Sequence, residues 1–173
     1  MTNDTAVSDT ATNDTAGNDT AEIGAMLQRW IEAFCVVDSE TMTSFWPQDY
    51  PDIVYQSEEN ARALSSYQEI KAYWHEQVPP TLESIAKVED TDIRIHLHGD
   101  IATVYLSALA SAKFPGSEHL YVAPFRASIV MRRFDDGWKF VHYHESRILD
   151  LHRVTDALNS GEADSLAYGS TGG

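Results

Sequence analysis

Apolar positions early in the chain recur at helical spacing. Ile23, Met26, Leu27, Trp30, Ile31 and Phe34 follow the i, i+3, i+4, i+7 rule and predict an amphipathic helix to about Val37. Asp19 and Glu22 stand at capping-box spacing ahead of it, so order is expected to begin near Asp19. Ser39 is placed to cap a second, short helix through Met42 and Phe45, which ends by Trp46 because Pro47 disfavours helical geometry in the residue before it. Ile53, Val54 and Tyr55 predict a short strand, and the polar residues 56–65 a loop. Ser66 and Glu69 form a further capping box, opening a third helix whose inner stripe is Tyr67, Ile70, Trp74 and Val78 and which Pro79-Pro80 stops.

From Ser84 the period changes from helical to alternating. Long strands are expected over 85–97, 101–112, 120–134 and 138–149, separated by His98-Gly99-Asp100, Phe114-Pro115-Gly116-Ser117 and Asp135-Asp136-Gly137. Pro124 interrupts the third of them and predicts a bulge or an exposed edge. Residues 150–158 suit a short closing helix. Helices segregated ahead of an antiparallel meander make an α+β domain. A sheet this long must curve around its few helices, which leaves a cone with a pocket inside.

The last hairpin, residues 125–146, concentrates the candidate chemistry. A three-residue loop with Gly137 in the left-handed region sets Val130 opposite His142, Ser128 opposite His144 and Arg126 opposite Ser146. Strand alternation then puts Arg126, Ser128, His142 and His144 on one face with Phe140 and Trp138, and that face is expected to look into the pocket. A two-residue loop would shift the register and part Arg126 and Ser128 from the histidines.

Composition narrows the class. The chain of 173 residues is 43% hydrophobic, with four Trp, eight Tyr and six Phe, which supports one domain with a substantial core. A single cysteine, Cys35, excludes an intramolecular disulfide, and its place beside Phe34 suits a small buried hydrophobe. No signal-peptide pattern and no apolar run of membrane-spanning length is read, so a cytoplasmic location is expected. The formal charge is −15; the first 22 residues carry five acids and no bases, which leaves −10 on the remainder. An acidic body disfavours nucleic acid as a partner. Residues 2–21 repeat an Asn/Ser-Asp-Thr-Ala unit with one large apolar residue, Val7. The expected organisation is a disordered acidic tail over 1–21, a domain over 22–158 and a second disordered tail over 159–173.

The order of elements, together with Gly137-Trp138-Lys139-Phe140-Val141-His142-Tyr143-His144-Glu145-Ser146, resembles the nuclear-transport-factor-2-like superfamily over about residues 22–150. The hairpin ending, with Arg126 and Ser128 on the preceding strand, resembles the SnoaL-like group within it. It is also similar to the association domain of calcium/calmodulin-dependent kinase. The resemblance implies a cone-shaped α+β fold and a homodimer formed through the outer face of the sheet. Ketosteroid isomerases of this fold carry a base carboxylate just after the short strand, where this chain reads Val54-Tyr55-Gln56-Ser57 followed by Glu58 and Glu59.

The proposed chemistry follows from residue type. A histidine exchanges protons near neutral pH, so His144 is assigned the base role and His142 an orienting or assisting one. Arg126 would anchor an enolate, carboxylate or phenolate oxygen, with Ser128 or Tyr55 donating a second hydrogen bond. Trp30, Phe34, Trp74, Phe140 and Trp138 would wall the site, and Tyr67 and Tyr105 are further candidates for a pocket hydroxyl. The reaction class is proton transfer beside a carbonyl on a small hydrophobic, oxygen-bearing molecule, performed without a cofactor by a lyase, isomerase or cyclase. The alternative is a non-catalytic ligand-binding or oligomerisation module. His96 and His98 pair on one strand as His142 and His144 do, but no cysteine or close carboxylate completes a metal set. Phosphate-loop, nucleophile-elbow and dinucleotide patterns are missing.

Overall fold

The computed structural model describes residues 8–147 and 151–160. Helix α1 (Ser8–Cys35) buries Ile23, Met26, Leu27 and Trp30 on the stripe its spacing predicts. It starts eleven residues ahead of Asp19, so residues 8–21, expected as tail, are helical; residues 1–7 lie outside the described residues. Extending a helix already anchored by packing adds a hydrogen bond per residue without a new nucleus, which even a polar repeat tolerates. Asp19 is therefore inside the helix. It is buried, and its carboxylate pairs with the Arg133 guanidinium, which in turn lies 4.8 Å from the centre of the Trp138 ring.

Helix α2 (Ser39–Ser44) is capped by Asp38, not Ser39: the Asp38 carboxylate accepts from the Thr41 backbone N–H at 3.1 Å and from its hydroxyl at 2.6 Å. These bonds hold Asp38 below the usual carboxylate range. The Ser39 hydroxyl instead donates to the Trp74 carbonyl at 2.5 Å, tying α2 to the third helix. After strand β1 (Val54–Gln56), helix α3 (Tyr67–Ala72) opens at Ser66, whose hydroxyl accepts from the Glu69 N–H at 3.2 Å. It continues as a π-helical turn over Tyr73–Gln77.

Strands β2 (Ser84–His98), β3 (Ile101–Lys113), β4 (Tyr121–Phe134) and β5 (Gly137–Arg147) form the meander, and β1 joins its end in parallel with β5. The order is β1-β5-β4-β3-β2. Pro124 pairs with Leu109 of β3, while β5 stops at Arg147 opposite Phe125, so the proline sits on a length of β4 that β5 does not reach. A last helix, α4 (Leu151–Ser160), follows; the remainder of the expected tail, 161–173, and the end of the expected strand, Ile148 and Leu149, lie outside the described residues. Helix α1 packs against the concave side of the sheet, and the core gathers there around Leu27, Trp30, Trp74, Phe140, Leu106 and Ile129.

The last hairpin departs from expectation at two points that cancel in one respect and not in another. Phe134 pairs with Gly137, so only Asp135 and Asp136 lie between the strands; Gly137 does take a positive φ of 112°. The register shifts between Met131, which pairs with Phe140, and Val130, which pairs with His142, leaving Val141 as the extra residue of a β-bulge. The bulge restores the expected pairs Ser128–His144 and Arg126–Ser146. It also breaks the alternation, so Trp138, Phe140 and Tyr143 are buried while His144, Arg126 and Ser128 are exposed and His142 is half-buried. Arg126, Ser128, His142 and His144 do share a face, but it is the outer one.

Candidate functional site

The inner face of the hairpin builds a different site. Tyr55 of β1 pairs with Tyr143 of β5, and their rings stack with centroids 5.2 Å apart at 14°. Tyr73 approaches from the third helix, its ring 5.3 Å from Tyr55. The π-helical turn explains how it gets there. The Val78 N–H donates to the Tyr73 carbonyl at 3.0 Å, and the wider turn lets consecutive residues, Tyr73 and Trp74, both pack inward.

These tyrosines border a cavity of about 450 Å³. Trp30, Phe34 and Trp74 form one wall, with Phe34 stacked on Trp30 at 5.6 Å and meeting Trp74 edge-on at 6.1 Å. The sheet contributes Ala110, Ala112 and Ala123, small side chains that leave the space open, with Phe125 further in along the sheet and Phe114 and Tyr121 further out. Glu58, Glu59 and Glu145 supply the charge, and among the described residues no Arg, Lys or His lines the cavity. The Tyr73 hydroxyl donates to the Glu59 carboxylate, and Tyr143 Oη lies 3.4 Å from Glu145 Oε2.

Burial sets the protonation of the phenols. Desolvation, then the charges of neighbouring tyrosines and of Glu145 and Glu59, pushes Tyr55 well above the ordinary tyrosine value. Tyr143 is raised by desolvation and then by Glu145, and Tyr73 by desolvation and then by Glu59. All three are therefore neutral hydrogen-bond donors at physiological pH. The cavity thus presents neutral phenols beside carboxylates.

Of the residues expected in the pocket, Trp30, Phe34, Tyr55 and Trp74 line it. Phe140 lies beneath, wholly buried between Trp30, Phe45 and Trp46. His144, His142, Arg126 and Ser128 are not brought to the cavity, for the bulge turns them outward. Arg126 Nε donates to Ser146 Oγ at 3.0 Å on that outer face, so it anchors no oxygen inside. His144 borders an adjoining concavity with Gln56, Asn60 and Ser146, which shares Glu58 and Glu145 with the cavity but none of its aromatic wall. His142 is held below the ordinary histidine value by burial and then by His144. Tyr105 is also outside, beneath the Arg94 guanidinium at 5.7 Å, and Tyr67 does not line the cavity. Burial and then Glu32 raise the Cys35 thiol, which disfavours a reactive thiolate. Among the described residues no group of three or more His, Cys, Asp or Glu gathers as a metal site, and no helix is long and apolar enough to cross a membrane.

The family model of the SnoaL-like domain matches residues 23–150, the helix stripe, the tyrosine cluster and the whole meander together. The chain belongs to the SnoaL-like domain family. No curated protein matches it. Solved structures share the SnoaL-like, NTF2-like fold. A proposed dehydratase of the NTF2-like family from Streptomyces avermitilis is 23% identical, covering 78% of this chain and 99% of its own, with a TM-score of 0.66. An NTF2-like superfamily protein from Salmonella enterica serovar Typhimurium is 16% identical over 78% and 94%, with a TM-score of 0.68. A ketosteroid isomerase-like protein from Erwinia carotovora atroseptica is 17% identical over 75% and 96%, with a TM-score of 0.62. At these identities the likeness establishes the fold alone.

Tyr73, Tyr143, Glu145 and the alanines were missed by sequence reasoning in this SnoaL-like chain, and Glu58 and Glu59 were placed in a loop without a role. Two signals pointed to them. Ala108, Ala110 and Ala112 alternate along β3, a small-residue run where a packed strand would carry Val or Ile. Tyr143 and Glu145 alternate out of phase with His142 and His144, so one pair had to face inward.

Proposed function

We propose that the cavity binds a small, neutral, largely apolar molecule bearing a carbonyl or hydroxyl group, and that the protein is a cofactor-independent lyase or isomerase. The reaction is proton transfer beside a carbonyl. One observation carries the reading: raised, neutral tyrosine hydroxyls and carboxylates meet at one end of an otherwise aromatic cavity. A carboxylate is the only group there that accepts a proton at neutral pH. Glu145 is the favoured base, because it is half-buried on β5 with its carboxylate accepting from Tyr143, whereas Glu59 is exposed and Glu58 lies in the loop after β1. The enolate oxygen formed by abstraction would take hydrogen bonds from Tyr55 and Tyr143, which substitute for the cation that the cavity lacks. Relatives of the fold described as dehydratase or isomerase-like are compatible with this class.

The test uses 1-tetralone, a neutral bicyclic aryl ketone, in deuterated water, with loss of its C2 proton signal followed by NMR. The full chain should accelerate exchange, and Glu145→Gln should slow it about 100-fold or more while binding persists. Tyr55→Phe should slow it by about tenfold to 100-fold. Unchanged exchange in Glu145→Gln would remove Glu145 from the base role. Binding without any exchange in the wild type would favour the non-catalytic ligand-binding reading.

We further propose a homodimer through the outer sheet face. Arg94, Tyr105, Ser128, His144 and Gln56 form one cross-strand row there, and Tyr105, its one large hydrophobic member, is 39% exposed. Tyr105→Glu should convert the dimer to a monomer in light scattering; a monomeric wild type would dismiss the proposal.

A further inference from the structure

Six of the eight large hydrophobic side chains exposed among the described residues belong to two segments. Phe114, Leu120, Tyr121 and Val122 flank the β3–β4 turn, and Leu151 and Leu158 are 67% and 60% exposed on α4. Phe114 and Tyr121, with ring centroids 6.1 Å apart, also line the cavity, so this pair forms its rim, with Leu120 next to it in the chain. Leu151, Val154 and Leu158 recur at helical spacing on one side of α4, with His152, Asp156 and Ser160 away from it. Leu151 and Leu158 are exposed and Val154 is half-buried, so among the described residues the α4 surface is largely uncovered, as is the rim.

Chain geometry ties the two together. β5 ends at Arg147, opposite Phe125, which lines the cavity. Beyond that pair, Tyr121–Pro124 of β4 are bonded to β3 on one side and, among the described residues, have no strand on the other. Residues 148–150 join Arg147 to Leu151. Four Cα steps reach at most about 14 Å. A ten-residue helix is about 15 Å long, enough to lie across the rim without moving the sheet. Two exposed apolar surfaces on so short a tether gain by burying one another.

We propose that α4 is a lid that lays Leu151, Val154 and Leu158 on Leu120, Tyr121 and Phe114 and closes the cavity over its ligand. The proposal rests on the cavity being a small-molecule site, and not on the proton transfer assigned to it. Closure would exclude water from the tyrosine–carboxylate end and slow the release of ligand. The occupant of the rim is the helix of the same chain.

The full chain carrying Cys35→Ser, Leu120→Cys and either Leu151→Cys or Leu158→Cys is oxidised mildly, and its disulfides are mapped by mass spectrometry. At least one pair should close within a single chain. In a separate full-length variant, Leu151→Gln/Leu158→Gln, release of the neutral fluorescent probe N-phenyl-1-naphthylamine should quicken about tenfold or more with an unchanged melting temperature. Disulfides found only between chains, which would make a second copy the occupant, would overturn the proposal. So would no disulfide at all, or unchanged release. If the wild type takes up no probe while the intrachain disulfide forms, the lid stands and the small-molecule reading falls.

Discussion

Phe140 and His142, two positions apart on β5, face opposite sides of the sheet: Phe140 is wholly buried against Trp30 and Trp46, whereas His142 stands on the outer face in register with Val130. The bulge at Val141 is the cause. It decides that Tyr143 and Glu145, and not the two histidines, border the cavity.

Substitutions on the outer face should therefore leave the interior chemistry intact. His142→Ala, His144→Ala and Arg126→Ala are expected to change 1-tetralone exchange by no more than about twofold, the usual range for surface positions. Exchange rates measured at a fixed protomer concentration check this, and a loss matching that of Glu145→Gln would return the histidines to the mechanism.

The tyrosine cluster has a signature in alkali. Tyr55, Tyr73 and Tyr143 are all raised above the ordinary value of 10.0, chiefly by burial. Because the unfolded chain releases these protons first, the stability they contribute is complete below pH 10 and is lost as pH rises above it towards the folded values. Absorbance titration at the phenolate band should show these three of the eight tyrosines ionising late, in step with unfolding. Tyr55→Phe and Tyr143→Phe should each remove one late group.

The small side chains of β3 and β4 set the volume of the site. Ala123→Leu or Ala110→Leu places three further carbons against the cavity. Probe affinity should fall by about tenfold or more, while the melting temperature holds or rises as the void is filled. Isothermal titration with N-phenyl-1-naphthylamine, alongside calorimetry, measures both.

Asp19 ties α1 to the last hairpin through Arg133. Asp19→Ala should destabilise the protein by about 1–2 kcal/mol in denaturant unfolding. That is less than for a fully buried pair, because the Arg133 side chain is 38% exposed and keeps its place over Trp138, although the nitrogen that meets Asp19 is itself buried. Adding Arg133→Met should recover part of the loss, since no unpaired charge then remains.

Much of the architecture was readable because it rests on period. The i, i+3, i+4 stripe of Ile23, Leu27 and Trp30, the Ser66 cap and the four alternating strands each state their own geometry locally. The aromatic wall of Trp30, Phe34, Tyr55 and Trp74 followed from the same stripes. The chemical end of the site was not readable in that way. Which half of β5 faces inward depends on one inserted residue, and the valine at 141 carries no mark that distinguishes a bulge from a regular strand position. Tyr73 depended on a π-helical turn that an α-helical stripe misplaces. The upstream start of α1 depended on propagation from a packed helix, a cooperative effect that propensity summed over a polar repeat does not contain.

β1 is three residues long, and its ladder bonds run to β5 alone, with a single bridge from Tyr55 to Leu64 on its other side. It nonetheless carries Tyr55 and leads directly into Glu58 and Glu59. Local opening of this segment would take two of the three carboxylates and one of the three phenols out of place at once, while the four-stranded meander stays intact. Warming should accordingly silence the site several degrees before the protein melts, and the margin between those two temperatures measures how firmly the shortest strand is held.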